Sequence, residues 1–365
     1  MSLFKNLLLA CLPNRRKNPI HESVLHEVKS ILFRPLGRAF GDACVHTAHL
    51  QQIRQIYPKA KIAVWVGPSN RAIFEACGVV DELIEIKIGN CFKQRKKWDL
   101  LLDFENNFNT SSLIMDLISA PKYLMIFRKY EKKHYHFNNV KHFDFNANLG
   151  EKVLFSKYVN QSILAKMATL NPAHSVVHTS PSNDEKMQKY WQSCVANNIV
   201  AKSINILLCL QGSSREVPAV EIAEILNKSI TQPQFFQIVV SFTSAAERYQ
   251  QELQALCPDL TIHLSPKTSA AEYFSLMKKA DLVFAVNGGS LHLACAFDKP
   301  LLSFHANSEP TLSAWKPLLP ANIPQCYLVA RNPLRIHTGV DETYNFDTAK
   351  AIAWLKQFIQ AQNLA

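Results

Sequence analysis

The sequence predicts an α/β protein of two domains, each built on a parallel sheet. Three observations lead there. Short apolar runs alternate with amphipathic helical stretches, the alternation resumes in the second half without repeating the sequence, and 365 residues exceed the usual domain length of roughly 100–200. With 48% hydrophobic residues and only 10 glycines, the chain has material for full cores and is neither disordered nor fibrous. No run approaches the ~18 consecutive apolar residues that a spanning helix needs.

The elements follow in order. Ser30-Ile31-Leu32-Phe33 is a buried strand. Cys44, Val45, Ala48, Ile53 and Ile56 recur at helical spacing, so residues 42–57 are a helix that Pro58 stops. Residues 61–66 make the next strand, 69–77 a helix and 99–104 a strand. In the second half, 204–210 is a strand, 218–230 a helix, 235–242 a strand and 245–256 a helix. Residues 261–264, 270–279, 282–286, 290–297 and 301–304 continue the alternation. Ala351, Ile352, Trp354, Leu355, Phe358 and Ile359 mark a closing helix over 347–360. The polar stretch 172–184 is the best linker, giving a leader at 1–29, domains at 30–180 and 181–345, and a final helix within 346–365.

The leader has three readings. Lys5 before Leu7-Leu8-Leu9-Ala10-Cys11 faintly resembles a lipoprotein signal, but the apolar core is shorter than the usual ~7–15 residues and runs into Pro13-Asn14-Arg15-Arg16-Lys17. A short helix with Leu3, Phe4, Leu7, Leu8 and Cys11 on one side could instead lie on an anionic bilayer. A docked or frayed segment is the third. Nine cysteines stand singly, with no CxxC pair, as reduced thiols of a cytoplasmic protein do. A balance of 40 Lys+Arg against 29 Asp+Glu, formally +11, predicts an anionic partner: nucleic acid, a membrane surface or a phosphorylated substrate.

Ligands of open parallel sheets sit beyond the strands' carboxyl ends. The first such loop, Pro35-Leu36-Gly37-Arg38-Ala39-Phe40-Gly41-Asp42, presents a carboxylate that either caps the following helix or serves as a general base. Gln211-Gly212-Ser213-Ser214-Arg215 could hold a diphosphate, or be an ordinary serine cap with a solvated arginine. Asn287-Gly288-Gly289-Ser290-Leu291-His292 lets backbone approach a ligand and opens a helix whose N–H groups can take phosphate oxygens; His292 faces that ligand or packs. Walker and GxGxxG sequences are absent, which argues against an NTPase or a dinucleotide oxidoreductase. Lys93, Arg95, Lys96, Lys97, Arg128 and Lys129 form two basic clusters, either solvated faces or an anion-binding surface. His46 and His49 are three apart without a third ligand, so a structural role is expected of both; the nearest approach to a metal-holding DxD triplet is Asp103-Phe104-Glu105.

Taken together, these loops resemble the heptosyltransferases of glycosyltransferase family nine, over about residues 30–320. The resemblance rests on Gly41-Asp42 with Thr47, the runs at 61–66, 79–84 and 98–103, and Gly212-Ser213-Ser214-Arg215 before Pro218. It continues through Asp281 to Gly288-Gly289-Ser290-Leu291-His292, similar to a D-T-G-x-x-H segment, and through Asn307-Ser308-Glu309-Pro310 with Trp315.

This resemblance implies a GT-B fold, with two Rossmann-like domains whose parallel sheets face a central cleft. It implies an inverting, metal-independent sugar transfer without a cofactor. The donor would be a nucleotide-diphosphate sugar, typically ADP-heptose, and the acceptor a lipopolysaccharide core or related anionic glycolipid at the cytoplasmic side of the inner-membrane surface, with no nucleic acid as partner. Asp42 then becomes the base; Ser213, Ser214, Arg215, Asn287, Gly288, Gly289, Ser290 and His292 line the donor site; Arg38 joins the two basic clusters toward the acceptor. The family's aspartate and threonine are Asn287 and Gly288 here, which opens the donor's identity to another nucleotide sugar. A silent sugar-nucleotide binder and a basic RNA-binding protein are the competing classes.

Overall fold

The computed structural model describes residues 2–147, 149–150, 153–194, 203–212, 215–309, 311–333 and 343–362. They form two compact units, Met1–Val176 and Val177–Ala365, and the boundary falls inside the polar stretch 172–184.

The first unit opens with α1 (Ser2–Cys11), β1 (Ser30–Arg34), α2 (Phe40–Ile56) and β2 (Lys61–Val66). It continues with α3 (Arg71–Glu75), β3 (Glu82–Glu85), α4 (Ile88–Lys93) and β4 (Leu100–Asp103), then α5 (Thr110–Ser119), β5 (Tyr123–Ile126) and β6 (Phe145–Asn146). The sheet order is β3-β2-β1-β4-β5-β6, all parallel. Its central strands are buried on both faces, which is why they read as unbroken apolar runs instead of alternating ones. Leu8 of α1, Cys91 of α4 and Leu113 of α5 share one core with Leu32, Trp65, Leu101 and Leu124 of the sheet. On Phe33 the ring meets His46 of α2 edge-on at 5.1 Å.

Two differences from the sequence reading have local causes. Helix α2 begins at Phe40, after an extended Ala39 that makes no side-chain cap, so Asp42 sits inside the first turn and not at the capping position. Leu8, expected on the exposed side of α1, points into the core, because only Leu3, Phe4, Leu7 and Cys11 share the outward stripe.

The second unit runs α6 (Pro181–Ser193), β7 (Ile204–Cys209), α7 (Ala219–Ser229), β8 (Phe236–Val240), α8 (Ala246–Leu256) and β9 (Ile262–Leu264). Then come α9 (Ala270–Lys278), β10 (Leu282–Val286), α10 (Gly289–Ala296), β11 (Leu301–Asn307), α11 (Thr311–Ala314), β12 (Gln325–Pro333) and α12 (Thr348–Ala361). Its order, β12-β11-β10-β7-β8-β9, is again all parallel. Ser180 caps α6 ahead of Pro181, and Ser269 with Glu272 forms a reciprocal capping box on α9. Helix α12 buries Ala351, Leu355 and Phe358 in the core that holds Ile222 and Leu226 of α7.

Both sheets have the doubly wound order, in which the chain works outward from one central strand and then returns to start on its other side. The switch lies between β1 and β4 in the first unit and between β10 and β7 in the second. Because Leu355 is fully buried against α7, Leu355→Ala should destabilise the second unit by about 3 kcal/mol, measured by urea unfolding.

Candidate active site

In the first unit the β1–β4 switch gathers charge. Arg34 and Asp103 end their strands side by side in register, and Arg34 Nη1 lies 3.4 Å from Asp103 Oδ2. The Arg34 guanidinium also donates to Asp116 of α5, while Lys129 Nζ donates to Asp103 Oδ2 at 2.8 Å and to the Glu105 carbonyl. All four side chains are buried, and as two cations and two anions they are mutually neutral. Burial alone would lower the Arg34 pKa, yet Asp116 and Asp103 outweigh it and hold it above its ordinary value. Burial likewise pushes Asp103 up, but Lys129 and Arg34 win and keep it below. Lys129, expected on an exposed anion-binding face, is therefore corrected to a buried counter-ion, since Asp103 inside the sheet end requires one. Arg128 is corrected too: it is buried, with its guanidinium 4.5 Å over the Tyr130 ring.

Above this quartet sit two further carboxylates. Asp103 Oδ1 accepts from the Glu105 N–H at 3.0 Å, which turns the chain so that Glu105 Oε1 accepts from the Gly37 N–H at 3.2 Å. Gly37 is in the left-handed region, φ 54°, and a Cβ there would lie 3.6 Å from Asp42 Oδ2, so this one glycine stands against both carboxylates. The positive helix end favours the Asp42 charge, but burial, and then the like charge of Glu105, push its carboxyl up from 3.8 to about 7. Glu105 is itself raised, by burial and then by Asp103. A carboxylate titrating near neutrality at a sheet's switch point can take a proton from an incoming hydroxyl.

The loop that carries Asp42 is pinned from behind. The Leu36 N–H donates to His46 Nε2 at 2.7 Å, which makes His46 Nδ1 the donor to His49 Nδ1 at 3.1 Å, and His49 Nε2 then donates to the Phe155 carbonyl at 2.9 Å. Every ring nitrogen of the pair is thereby engaged, so the expected structural role of both histidines holds. Arg38 is exposed, its stem lying over Gly67 where any Cβ would approach to 3.1 Å. Lys93, Arg95, Lys96 and Lys97 are exposed, at and just after α4.

In the second unit the β7–β10 switch is assembled from backbone and hydroxyls. Arg215 Nη1 donates to the Asn287 carbonyl at 2.6 Å, tying the loop after β7 to the loop after β10. The Gly212 N–H closes the first loop on the Arg215 carbonyl at 2.7 Å. Ser213 and Ser214 lie outside the described residues. Asn287 is buried; Gly288 is extended, so any residue could adopt its backbone, and a Cβ on it would meet only ordinary contact. Its smallness leaves the start of α10 open without serving a special turn. Ser290 Oγ accepts from Tyr273 OH at 2.7 Å. His292 is buried, its ring 5.8 Å from that of Trp315, and burial lowers its pKa to about 4. The ring is neutral at physiological pH, and its buried Nδ1 makes no hydrogen bond among the described residues.

Beside this loop is a pocket of about 280 Å³ that no motif announced. Ser241, Thr243, Thr268, Ser269, Tyr273 and Ser290 give it hydroxyls, around the carboxyl ends of β7 and β8. The only sequence signal was the density of Ser and Thr just after β8 and before α9.

Residues 157–328 match the family model of glycosyltransferase family 9 (heptosyltransferase). This stretch is a glycosyltransferase family 9 domain. The match spans the loops at 211–215 and 287–292; the Gly41-Asp42 segment lies ahead of it. Solved family 9 structures share the GT-B-like arrangement of two parallel sheets. The glycosyl transferase family 9 from Veillonella parvula is 13% identical with a TM-score of 0.66, covering 91% of this chain and 95% of that one. E. coli ADP-heptose lps heptosyltransferase II is 15% identical with a TM-score of 0.66, covering 91% and 99%. E. coli heptosyltransferase WaaC with ADP is 14% identical with a TM-score of 0.60, again covering 91% and 99%. No curated protein matches the sequence.

Two predictions follow from the charges of the first unit. Because the folded Asp42 pKa lies above its ordinary 3.8, ionising it disfavours the fold as pH rises from about 4 through about 7. Asp42→Asn should therefore melt above the native chain at pH 8, by about 1–2 kcal/mol after solvent screening, and equal it at pH 4, in thermal scans at both pH values. Removing one cation from the quartet leaves a buried anion uncompensated: Arg34→Met should cost about 3–5 kcal/mol in urea unfolding, partly recovered by adding Asp116→Leu.

Proposed function

We propose that this protein is an inverting glycosyltransferase that moves a sugar, heptose first among candidates, from a nucleotide-diphosphate donor to a hydroxyl of a lipopolysaccharide core or related anionic glycolipid, without a metal. The observation that carries the proposal is Asp42: a half-buried carboxylate raised to about 7, at the switch point of the first sheet and held beside Glu105. The family 9 match over 157–328, most of which falls in the second unit, supports the donor class, as do the relatives named for heptosyltransfer and for bound ADP.

In this mechanism Asp42 Oδ takes the proton of the acceptor hydroxyl as its oxygen bonds the sugar's anomeric carbon, and the bond from that carbon to the nucleoside diphosphate breaks. Charge then collects on the leaving diphosphate. Arg215 and the N–H groups at the start of α10 are the groups assigned to receive it. The hydroxyl-lined pocket by Tyr273 is assigned to the nucleoside, whose ribose and base offer hydrogen-bond partners of both kinds. Burial, and after it Glu105, raise the proton affinity of Asp42 and so set the pH at which transfer begins. A second reading keeps the fold and the base but changes the sugar. It is favoured by Asn287, which is buried and neutral where the family pattern carries an aspartate.

The test pairs binding with turnover. Thermal shifts across ADP, UDP, GDP and their sugars should single out one nucleotide, by RT ln(1 + [L]/Kd). With that donor and a lipopolysaccharide-core acceptor, transfer should rise with pH through about 7. Asp42→Asn should lose about 10²–10⁴-fold in kcat while keeping the donor's thermal shift. Flat shifts for every nucleotide, or full turnover in Asp42→Asn, would exclude the proposal.

A further inference from the structure

One face of the first unit is left unexplained by sugar transfer. Helices α1, α4 and α5 cover the same side of the sheet and share one core beneath them. Their ends are tied together: the Lys96 N–H, just past α4, donates to the Ser119 carbonyl of α5 at 2.7 Å, and Lys5 Nζ of α1 lies 5.7 Å from the Tyr135 ring centre, whose hydroxyl bonds Thr110 of α5 at 2.8 Å.

The outward side of this layer is apolar. Leu3 is 82% exposed, Leu7 62% and Phe4 54% on α1, with Ile88 69% and Phe92 59% on α4. These five are half of the large hydrophobic side chains exposed among the described residues, and they fall on two short helices of one layer. The three helices also expose no carboxylate. Helices α1 and α4 contain none, and the single acid of α5, Asp116, is buried on Arg34. The exposed charges after α4 and α1 are cationic, Lys93, Arg95, Lys96 and Lys97 after the one and Arg16 and Lys17 after the other, while ahead of α4 the one carboxylate, Glu85, is neutralised by Lys87 at 2.8 Å. No helix among the described residues is long and apolar enough to cross a membrane.

Apolar helix faces whose margin is net basic, with its one acid paired to a lysine, have the chemistry of a surface that enters the headgroup region of an anionic bilayer, where apolar side chains insert and cations meet phosphate. We infer that α1 and α4 dock this chain on a bilayer of anionic phospholipid, Leu3, Phe4, Leu7, Ile88 and Phe92 inserting and the cluster at 93–97 lying on the headgroups. A protein partner would need acidic side chains and a groove to receive the ridge, whereas a bilayer supplies both charge and apolar depth over its whole surface. The docking goes beyond the proposed transfer reaction and does not depend on it, so its failure leaves the role of Asp42 untouched.

The experiment is vesicle flotation of the full chain, with phosphatidylcholine alone and with phosphatidylcholine containing phosphatidylglycerol. The native chain should float only with the anionic vesicles and be released by high salt. Leu3→Ser/Phe4→Ser/Leu7→Ser and, separately, Lys93→Gln/Arg95→Gln/Lys96→Gln/Lys97→Gln should each reduce the bound fraction on the order of tenfold or more, with unchanged donor thermal shifts. Should the α1 variant misfold, a polarity-sensitive dye on the exposed Cys11 of a Cys194→Ser chain reads the same contact, its emission shifting to the blue only with anionic vesicles. Failure of the native chain to float, equal binding by the folded variants, or a native dimer that the α1 variant dissociates without any vesicle binding would overturn the inference.

Discussion

The buried contact of Arg34 and Lys129 with Asp103 and Asp116 is the constraint on which the first unit's candidate site rests. Taking an ion from water costs several kcal/mol, so such a group persists only with its charges matched, as they are here although Arg34 Nε and Nη1 lie buried without a hydrogen bond. The match also does directional work. Asp103 takes the Glu105 N–H and Lys129 takes the Glu105 carbonyl, so the peptide that follows β4 has no freedom to swing. Glu105 is thereby delivered to the Gly37 N–H, and Gly37 stands against Asp42. Burial is the main cause of the raised proton affinity of Asp42, and the part that Glu105 adds is built two layers below it.

The second unit arrives at a site by other means. Its switch point is tied by a side chain to backbone and by hydroxyl to hydroxyl in place of a buried ion cluster: the Arg215 bond to the Asn287 carbonyl and the Tyr273 bond to Ser290. Neutral, hydrogen-bonding surroundings suit an incoming polyanion, because fixed buried carboxylates would repel it, whereas N–H groups and hydroxyls cost nothing to leave uncharged when the site is empty. The neutral Asn287 and the low-pKa His292 follow the same pattern.

Much of this was legible in the sequence, and the exceptions have physical reasons. Parallel strands buried on both faces announce themselves as runs such as Lys61–Val66 and Leu282–Val286, and these ends were read correctly to the residue. The helix of Asp347 to Gln360 was equally plain, because Ala351, Leu355 and Phe358 keep one face. Strands of 4 and 2 residues at Tyr123–Ile126 and Phe145–Asn146 leave too short a pattern to see. Asp42 and the loops at Arg215 and Asn287 could be picked out because strand ends are where chemistry gathers. Glu105, Tyr273 and the partners of Lys129 could not, since what distinguishes them is contact across 17 to 68 residues of chain. A run of lysines and arginines likewise says nothing about which of them turn inward, and Arg128 and Lys129 do.

The chained histidines behind the loop of Asp42 have one more consequence. Burial keeps His49 near a pKa of about 4 and His46 well below its ordinary value, so neither ring acquires charge between acid and alkaline conditions. They behave as struts with the hydrogen-bonding capacity of a peptide group and none of histidine's usual responsiveness. Whatever titrates at the mouth of this sheet does so against a silent background, and near neutrality a proton count at that end would register the ionisation of Asp42 and nothing from the two rings.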